Sequence, residues 1–236
     1  MGGPSQQYDE IWEQVYGDMQ ETGPVHLHMK RMLRGILQTI DYRSVIDVGC
    51  GQGHNLPLLV EGRSLDRVTG IDVSKPALER AKERVNADFH QLDVQQDALD
   101  GKWDLVFSSL VLEHLPDDEA ALRNIRRMAG RHVLITTIAG DFERYRAWDE
   151  RMGHVRNYRV GELEQKLERE GFKVDRAIYW GFPFYSPVAR TLQNRGGTGT
   201  GKFGPAARLA AQMLYWLYSL NSSRRGDLLI VHGVAI

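Results

Sequence analysis

Three glycines at alternate positions follow an apolar strand and an acidic residue in Val45-Ile46-Asp47-Val48-Gly49-Cys50-Gly51-Gln52-Gly53. Glycine allows backbone angles and close approaches that a Cβ would block, so the turn predicts a ligand lying against the main chain. A dinucleotide turn spaces its glycines G-x-G-x-x-G and sets a pyrophosphate on a helix N-terminus. Here the third such position is His54, and Gly53 comes one residue early. That register argues against a pyrophosphate, and Asp47 would repel a dianion. An acidic residue there suits a ligand that carries positive charge. A bare strand-to-helix turn rarely needs three glycines. Further along, Asp72 ends Gly70-Ile71-Asp72-Val73-Ser74, where a carboxylate can accept hydrogen bonds from both hydroxyls of a ribose. His114, in Glu113-His114-Leu115-Pro116, has the side chain whose ordinary pKa suits general-base work near neutrality, though a packing histidine would also fit there.

These residues need a scaffold that brings them to one rim. Apolar positions from Val25 to Ile40 repeat with helical spacing. Short apolar runs at 44–48, 67–71, 88–92, 103–109 and 131–138 alternate with helical stretches, and 172–180 and 227–236 read as late strands. Ser74 should cap a helix that has Pro76 in its first turn, and Asp117 to Glu119 should open another. The helix from Val160 should stop at Gly171. This alternation predicts an α/β fold with a seven-stranded, mostly parallel sheet covered on both faces. Ligands in such sheets bind at the carboxyl ends of the strands, near the switch in strand order. The glycine turn, Asp72, Asp93 and Ser109 to His114 all fall at those ends.

The pattern D-x-G-x-G-x-G at Asp47 to Gly53 resembles the first motif of class I S-adenosylmethionine-dependent methyltransferases, in their small-molecule or quinone- and lipid-like branch. The resemblance covers roughly 40–185 and the final strand, and it implies a Rossmann-like sheet whose last strand is antiparallel. It implies S-adenosyl-L-methionine as cofactor and S-adenosyl-L-homocysteine as product. It implies that Asp47, Gly49, Cys50, Gly51 and Gly53 adjoin the methionine part, Asp72 and Val73 the ribose, Asp93 and Val94 the adenine, and the backbone of Ser109 and Leu110 the methionine end again. For Asp93, a turn cap toward Gln95 is the competing reading. Glu113-His114 resembles the small-molecule branch, and the Asp/Asn-Pro-Pro-aromatic turn of enzymes acting on DNA bases is absent. Gly153-His154-Val155-Arg156-Asn157-Tyr158 resembles the segment that covers the acceptor, so His114, His154 and Tyr158 are the catalytic candidates and Arg156 a lining residue; a structural turn competes. The expected reaction is in-line methyl transfer to a small or lipid-like acceptor, most simply at oxygen. A non-catalytic cofactor-binding protein, an N- or C-methyltransferase of a natural-product or protein acceptor, and a nicotinamide oxidoreductase are the alternatives. Where the family often has Pro-Gly-Gly before strand five, this chain has Met128-Ala129-Gly130-Arg131.

Composition narrows the partners. The chain has 236 residues and a net charge of −1, with no basic field for nucleic acid. Its one cysteine, Cys50, forbids an internal disulfide and fits a reducing, cytoplasmic compartment. The polar, acidic stretch Met1 to Gln20 does not read as a secretory signal. His26 and His28 would point apart on a helix, and no other His, Asp or Glu spacing suggests a metal. The expected organisation is an N-terminal helical lid (1–40), a cofactor-binding core (41–180), a helical insertion (181–225) and the last strand (226–236). Arg195 to Gly204 reads as a linker. Pro205 to Leu220 is nearly all apolar, yet at about 1.5 Å per residue it is short of a ~30 Å bilayer core. The foremost expectation is that it packs on the sheet or caps an acceptor pocket. A homodimer interface and a membrane surface, the latter because of Arg224 and Arg225, are the other two readings.

Overall fold

The structure, a computed structural model, describes residues 19–195 and 203–236. The first half of the expected lid and most of the expected linker lie outside the described residues. Seven strands form one sheet: β1 (Ser44–Val48), β2 (Arg67–Asp72), β3 (Asp88–Gln91), β4 (Trp103–Ser109), β5 (Ala129–Ile138), β6 (Phe172–Trp180) and β7 (Leu228–Ala235). Their order is β3-β2-β1-β4-β5-β7-β6. β7 alone runs antiparallel to its neighbours β5 and β6. The chain leaves β1 in one direction for β2 and β3, then returns to β4 on the other side. The switch point therefore lies between β1 and β4, where the glycine turn begins.

Alternation along the strands sorts side chains between two cores. Ile46, Val48, Val106, Val133 and Ile135 enter one core; Val45, Leu105, Phe107 and Leu134 enter the other. The first is covered by α4 (Asp118–Met128) and α6 (Glu162–Arg169) through Ala121, Leu122, Ile125, Leu163 and Leu167. The second is covered by α1 (Pro24–Leu37) and α2 (Leu56–Val60) through Met29, Leu33, Ile36, Leu56 and Leu59. α3 (Lys75–Lys82) opens as expected, with Ser74 Oγ accepting from Ala77 N at 3.2 Å. Asp117 does the same for α4, accepting from Ala120 N at 2.9 Å. The altered run at Met128 to Arg131 leaves no turn: β5 starts at the residue after α4 ends.

The 181–225 region holds a short π-helical turn (Tyr185–Ala189), α7 (Arg190–Asn194) and α8 (Pro205–Tyr218), after α5 (Arg146–Arg151) earlier in the chain. One end of α8 packs where the sheet ends: Tyr218 meets Trp180, the last residue of β6. It also rests on α1, with Tyr215 against His28, while Leu209, Met213 and Trp216, and Leu220 just past its end, stay exposed. The contact is specific: the His28 ring stacks between Trp180 and Tyr215, and its Nε2 meets the Tyr215 carbonyl at 2.8 Å.

Candidate cofactor and acceptor site

The glycine turn is shaped by backbone demands. Gly49, Gly51 and Gly53 all hold positive φ (72°, 51° and 76°). The amides of Gly49 and Cys50 both donate to the Ile71 carbonyl, at 2.8 and 3.0 Å. A Cβ on Gly49 would sit 2.4 Å from Val111 Cγ2, so the β4 loop presses directly on the β1 turn. Gly49→Ala is therefore expected to destabilise by about 1–3 kcal/mol through overpacking and left-handed strain. Chemical denaturation checks this, and unchanged stability would show that Val111 can retreat.

Two carboxylates face the turn. Asp47 is 1% exposed, and its Oδ2 has no hydrogen-bond partner among the described residues. Burial, with Asp72 nearby, pushes its pKa up to about 8. Such a group lacks one thing, a cationic or hydrogen-donating partner. Asp72 accepts from Gly51 N and Ser74 N, both at 2.8 Å. It thus clamps the glycine turn onto β2, a role the sequence did not suggest. Burial pushes the Cys50 thiol well up, so it packs rather than reacts.

Asp93 closes its own turn, accepting from Gln95 N at 2.9 Å and from the Gln95 and Gln96 side-chain amides. The turn-cap reading is the one whose contacts are present. Val94 is buried beside it. At the end of β4, Leu110 has φ 56°, unusual for a side chain of its size, and its amide donates to the Thr136 carbonyl at 2.9 Å. Ser109 Oγ accepts from Thr136 Oγ1 at 2.7 Å and lies 3.9 Å from Met29 Sδ, which brings α1 to this rim.

The fold gathers a second group just beyond Leu110. Glu113, His114 and His154 offer ligand atoms that all lie within 4.8 Å of one another. This corrects the expectation that no set of His and acidic residues is spaced for a metal: His154 is 40 positions from His114, so spacing along the chain could not reveal it. Glu113 is fully buried; its Oε2 accepts from Thr137 Oγ1 at 2.8 Å, and its Oε1 has no partner among the described residues. Burial raises its pKa. The His114 and His154 rings meet edge to face, with centroids 4.8 Å apart. His114 Nδ1 lies 3.0 Å from the Gly153 carbonyl, so that nitrogen carries the hydrogen. Burial and His154 push the His114 pKa down to about 4.

His154 is held by a residue the sequence did not single out. Its Nδ1 lies 3.1 Å from Asp149 Oδ1, so the imidazole donates there. Asp149 sits in the run Asp141 to Arg151, whose density of charge in the sequence alone reads as a solvated helix face, yet it is fully buried. It also accepts from Asn157 Nδ2 at 2.8 Å and from Arg190 Nη2 at 2.6 and 2.9 Å. Burial opposes its charge, but His154, Arg190 and Asn157 hold its pKa below the ordinary value. Arg190 Nη1 reaches Asp227 Oδ2 at 3.1 Å.

Tyr158 and Arg156 go elsewhere. Tyr158 is fully buried, and its hydroxyl donates to Asp118 Oδ2 at 2.7 Å. Lys166 Nζ and Arg156 pair with the same carboxylate. Burial and Asp118 raise the phenol's pKa. Tyr158 is thus a core anchor, not a group that exchanges protons with an acceptor, which corrects the expectation for it.

Residues 24–177 match the family described as a methyltransferase domain. A ubiquinone biosynthesis O-methyltransferase of Alkalilimnicola ehrlichii is 36% identical over 110 residues, 42% of this chain and 43% of that protein. A trans-aconitate 2-methyltransferase of an Azoarcus species is 34% identical over 88 residues, 37% of this chain and 35% of that protein. The chain thus spans less than half the length of both relatives. Among solved structures, magnesium protoporphyrin IX methyltransferase of Synechocystis with bound S-adenosylhomocysteine superposes with TM-score 0.59 at 15% identity, covering 98% of this chain and 93% of that one. The methyltransferase in complex with the Haloferax volcanii Trm112 activator superposes with TM-score 0.64 at 18% identity, covering 92% and 91%. The family match, the seven-stranded order with its antiparallel β7, and a glycine turn backed by an orphaned buried carboxylate agree: the chain belongs to the class I S-adenosylmethionine-dependent methyltransferases.

Proposed function

We propose that this chain moves a methyl group from S-adenosylmethionine to a hydroxyl of a small or lipid-like acceptor, with His154 taking the hydroxyl proton. Bound S-adenosylmethionine supplies an already activated methyl on a sulfonium with a neutral leaving group. Asp47 and the backbone of Gly49, Cys50, Gly51 and Gly53 would hold its methionine part, with Ser109 and Leu110 at the same end. Asp72 and Val73 would hold the ribose, and Asp93 and Val94 the adenine. The chain's own work is alignment in a closed site, worth several kcal/mol, plus removal of one proton. The observation that carries the reading is the Asp149–His154 pair, which fixes the tautomer so that Nε2 is the accepting nitrogen. The lid (to residue 40) and the insertion (181–225) would frame the acceptor above the core of 41–180 and 226–236. Release of S-adenosylhomocysteine with alkyl-substituted phenols as acceptors tests this. Tight S-adenosylhomocysteine binding without turnover on any acceptor favours the non-catalytic alternative, and a product methylated at nitrogen or carbon moves the acceptor class. A rate that survives a chelator supports proton removal by His154 over a cation held by Glu113, His114 and His154.

Asp47 carries a separate prediction. The free protein keeps this carboxyl protonated up to about pH 8, whereas an ammonium partner stabilises the ionised form. Cofactor binding at pH 7 should then release a proton, visible by calorimetry in buffers of different ionisation enthalpy. Asp47→Asn should weaken binding about 10- to 150-fold, the loss of one charged hydrogen bond of about 1.5–3 kcal/mol. Stability should move the other way. The folded pKa lies above the ordinary value of 3.8, so the folded state holds the extra proton between those limits. Wild-type stability therefore falls as pH rises through that window, and the Asn variant should be flatter and firmer at pH 8.

A further inference from the structure

α8 presents its larger apolar side outward. Leu209, Met213 and Trp216 fall at i, i+4 and i+7, one face of the helix, and Leu220 is exposed in the turn that follows it. Ala211, Tyr215 and Tyr218 lie on the opposite, more buried face, where Tyr215 stacks on His28 of α1 and Tyr218 packs on Trp180. Met213 is 67% exposed and Trp216 66%. A helix apolar all round is ordinarily buried, and no described residue covers this face. Charge says what does. From residue 181 to 225 the chain carries Arg190, Arg195, Lys202, Arg208, Arg224 and Arg225 and no Asp or Glu, although the whole chain is −1. α1, on which α8 rests, adds Lys30, Arg31 and Arg34 and also has no acid. Arg190 is buried in its ion pairs and Arg34 meets Glu61, whereas Arg31, Arg208, Arg224 and Arg225 are exposed; an apolar stripe with an exposed tryptophan on a segment with this excess of cations is complementary to the headgroup boundary of an anionic bilayer. At 14 residues, α8 is about 21 Å long, enough to lie in that plane and too short to cross a ~30 Å core. No helix of the described residues is long and apolar enough to cross a membrane.

We infer that the outward face of α8 docks this protein on an anionic lipid surface. α1 links the two regions: its His28 holds α8 while its Met29 reaches Ser109 at the rim of the site. An acceptor dissolved in the bilayer would then reach the site from the docked side. The docking itself does not depend on what the site methylates.

Flotation of the full chain with vesicles tests the inference. At low salt the protein should float with phosphatidylcholine–phosphatidylglycerol vesicles and at most weakly with phosphatidylcholine alone. The double variant Met213→Glu/Trp216→Glu should abolish flotation, with unchanged thermal melting and S-adenosylhomocysteine affinity as controls on folding. Arg224→Glu/Arg225→Glu should lower vesicle partitioning at least about tenfold, and added salt should imitate it. Absence of flotation at low salt, or flotation that survives the Met213/Trp216 substitutions, overturns the inference. So does a wild-type dimer that these substitutions turn into monomer without any vesicle binding, since the face would then join two copies of the chain.

Discussion

Arg190→Met is expected to cost about 3–5 kcal/mol of stability at pH 7 and above, the consequence of leaving buried carboxylates without their cation. For a chain of this size that is a fall of roughly 6–20 °C in melting temperature. The Arg190 guanidinium binds both oxygens of Asp149 and one of Asp227, and stacks 4.3 Å above the Tyr145 ring. It joins three segments: α7, which bears it, α5, which bears Asp149, and the entry to β7 at Asp227. The loss should depend on pH in a defined direction. In the wild type Asp149 titrates below its ordinary value, so it adds stability that is present above that value and is lost as pH falls. Without the guanidinium only His154 and Asn157 hold that pKa down, so it moves up toward the unfolded value and the contribution shrinks. The difference between the two proteins should therefore narrow as pH falls below the ordinary carboxylate value of 3.8, which urea denaturation at several pH values measures. A deficit that does not vary with pH would mean that Arg190 acts through packing alone. The double variant Asp149→Leu/Arg190→Met should regain much of the stability, because an apolar pair can replace a buried ion pair at little cost.

The strands and the rim of the cofactor site are legible in the sequence because their signals are local. β1, the end of β2 and β4 fall where apolar runs and turn residues place them, and Ser74 and Asp117 cap the helices that their side chains predict. Asp149 illustrates what stays hidden. It lies among arginines and glutamates, and in a one-dimensional reading every such neighbour implies solvent. Only the fold places Arg190, 41 residues on, above it and buries the pair. Tyr158 misleads in another way: it shares a motif with His154, but the backbone bridges Ala139 at Tyr158 and turns the ring into the core toward Asp118. α8 misleads because apolar composition implies burial without saying what does the covering. The metal-compatible triad is invisible for the same reason as Asp149, since His154 joins Glu113 and His114 only after β5 has returned the chain to the rim.

His154→Ala is expected to lower kcat by about 10²- to 10⁴-fold, the range for loss of a positioned base, while S-adenosylmethionine affinity stays within about twofold. The two imidazoles at the rim are not equivalent. His114 is pushed down to about 4 by burial and its neighbour, so it stays neutral at working pH but is a weak base. His154 is held differently: a buried carboxylate at 3.1 Å takes its Nδ1 hydrogen, which fixes the tautomer and leaves Nε2 as the accepting nitrogen. The same truncation at His114 should accordingly cost less. The discriminating readout is the shape of the pH profile. If His154 takes the acceptor's proton, the acidic limb of kcat/KM belongs to it and should vanish in His154→Ala, with partial recovery on added imidazole. A purely structural His154 would instead leave the limb in place and lower the melting temperature and cofactor affinity together. Asp149→Asn should lower kcat less than His154→Ala does, because the amide still offers an oxygen to the Nδ1 hydrogen but no longer fixes the tautomer as a carboxylate does. Its cost in stability, through Arg190, is separable because cofactor affinity at saturating protein concentration reports only the folded fraction. An unchanged kcat in Asp149→Asn beside a large loss in His154→Ala would keep His154 as the base and remove Asp149 from the mechanism.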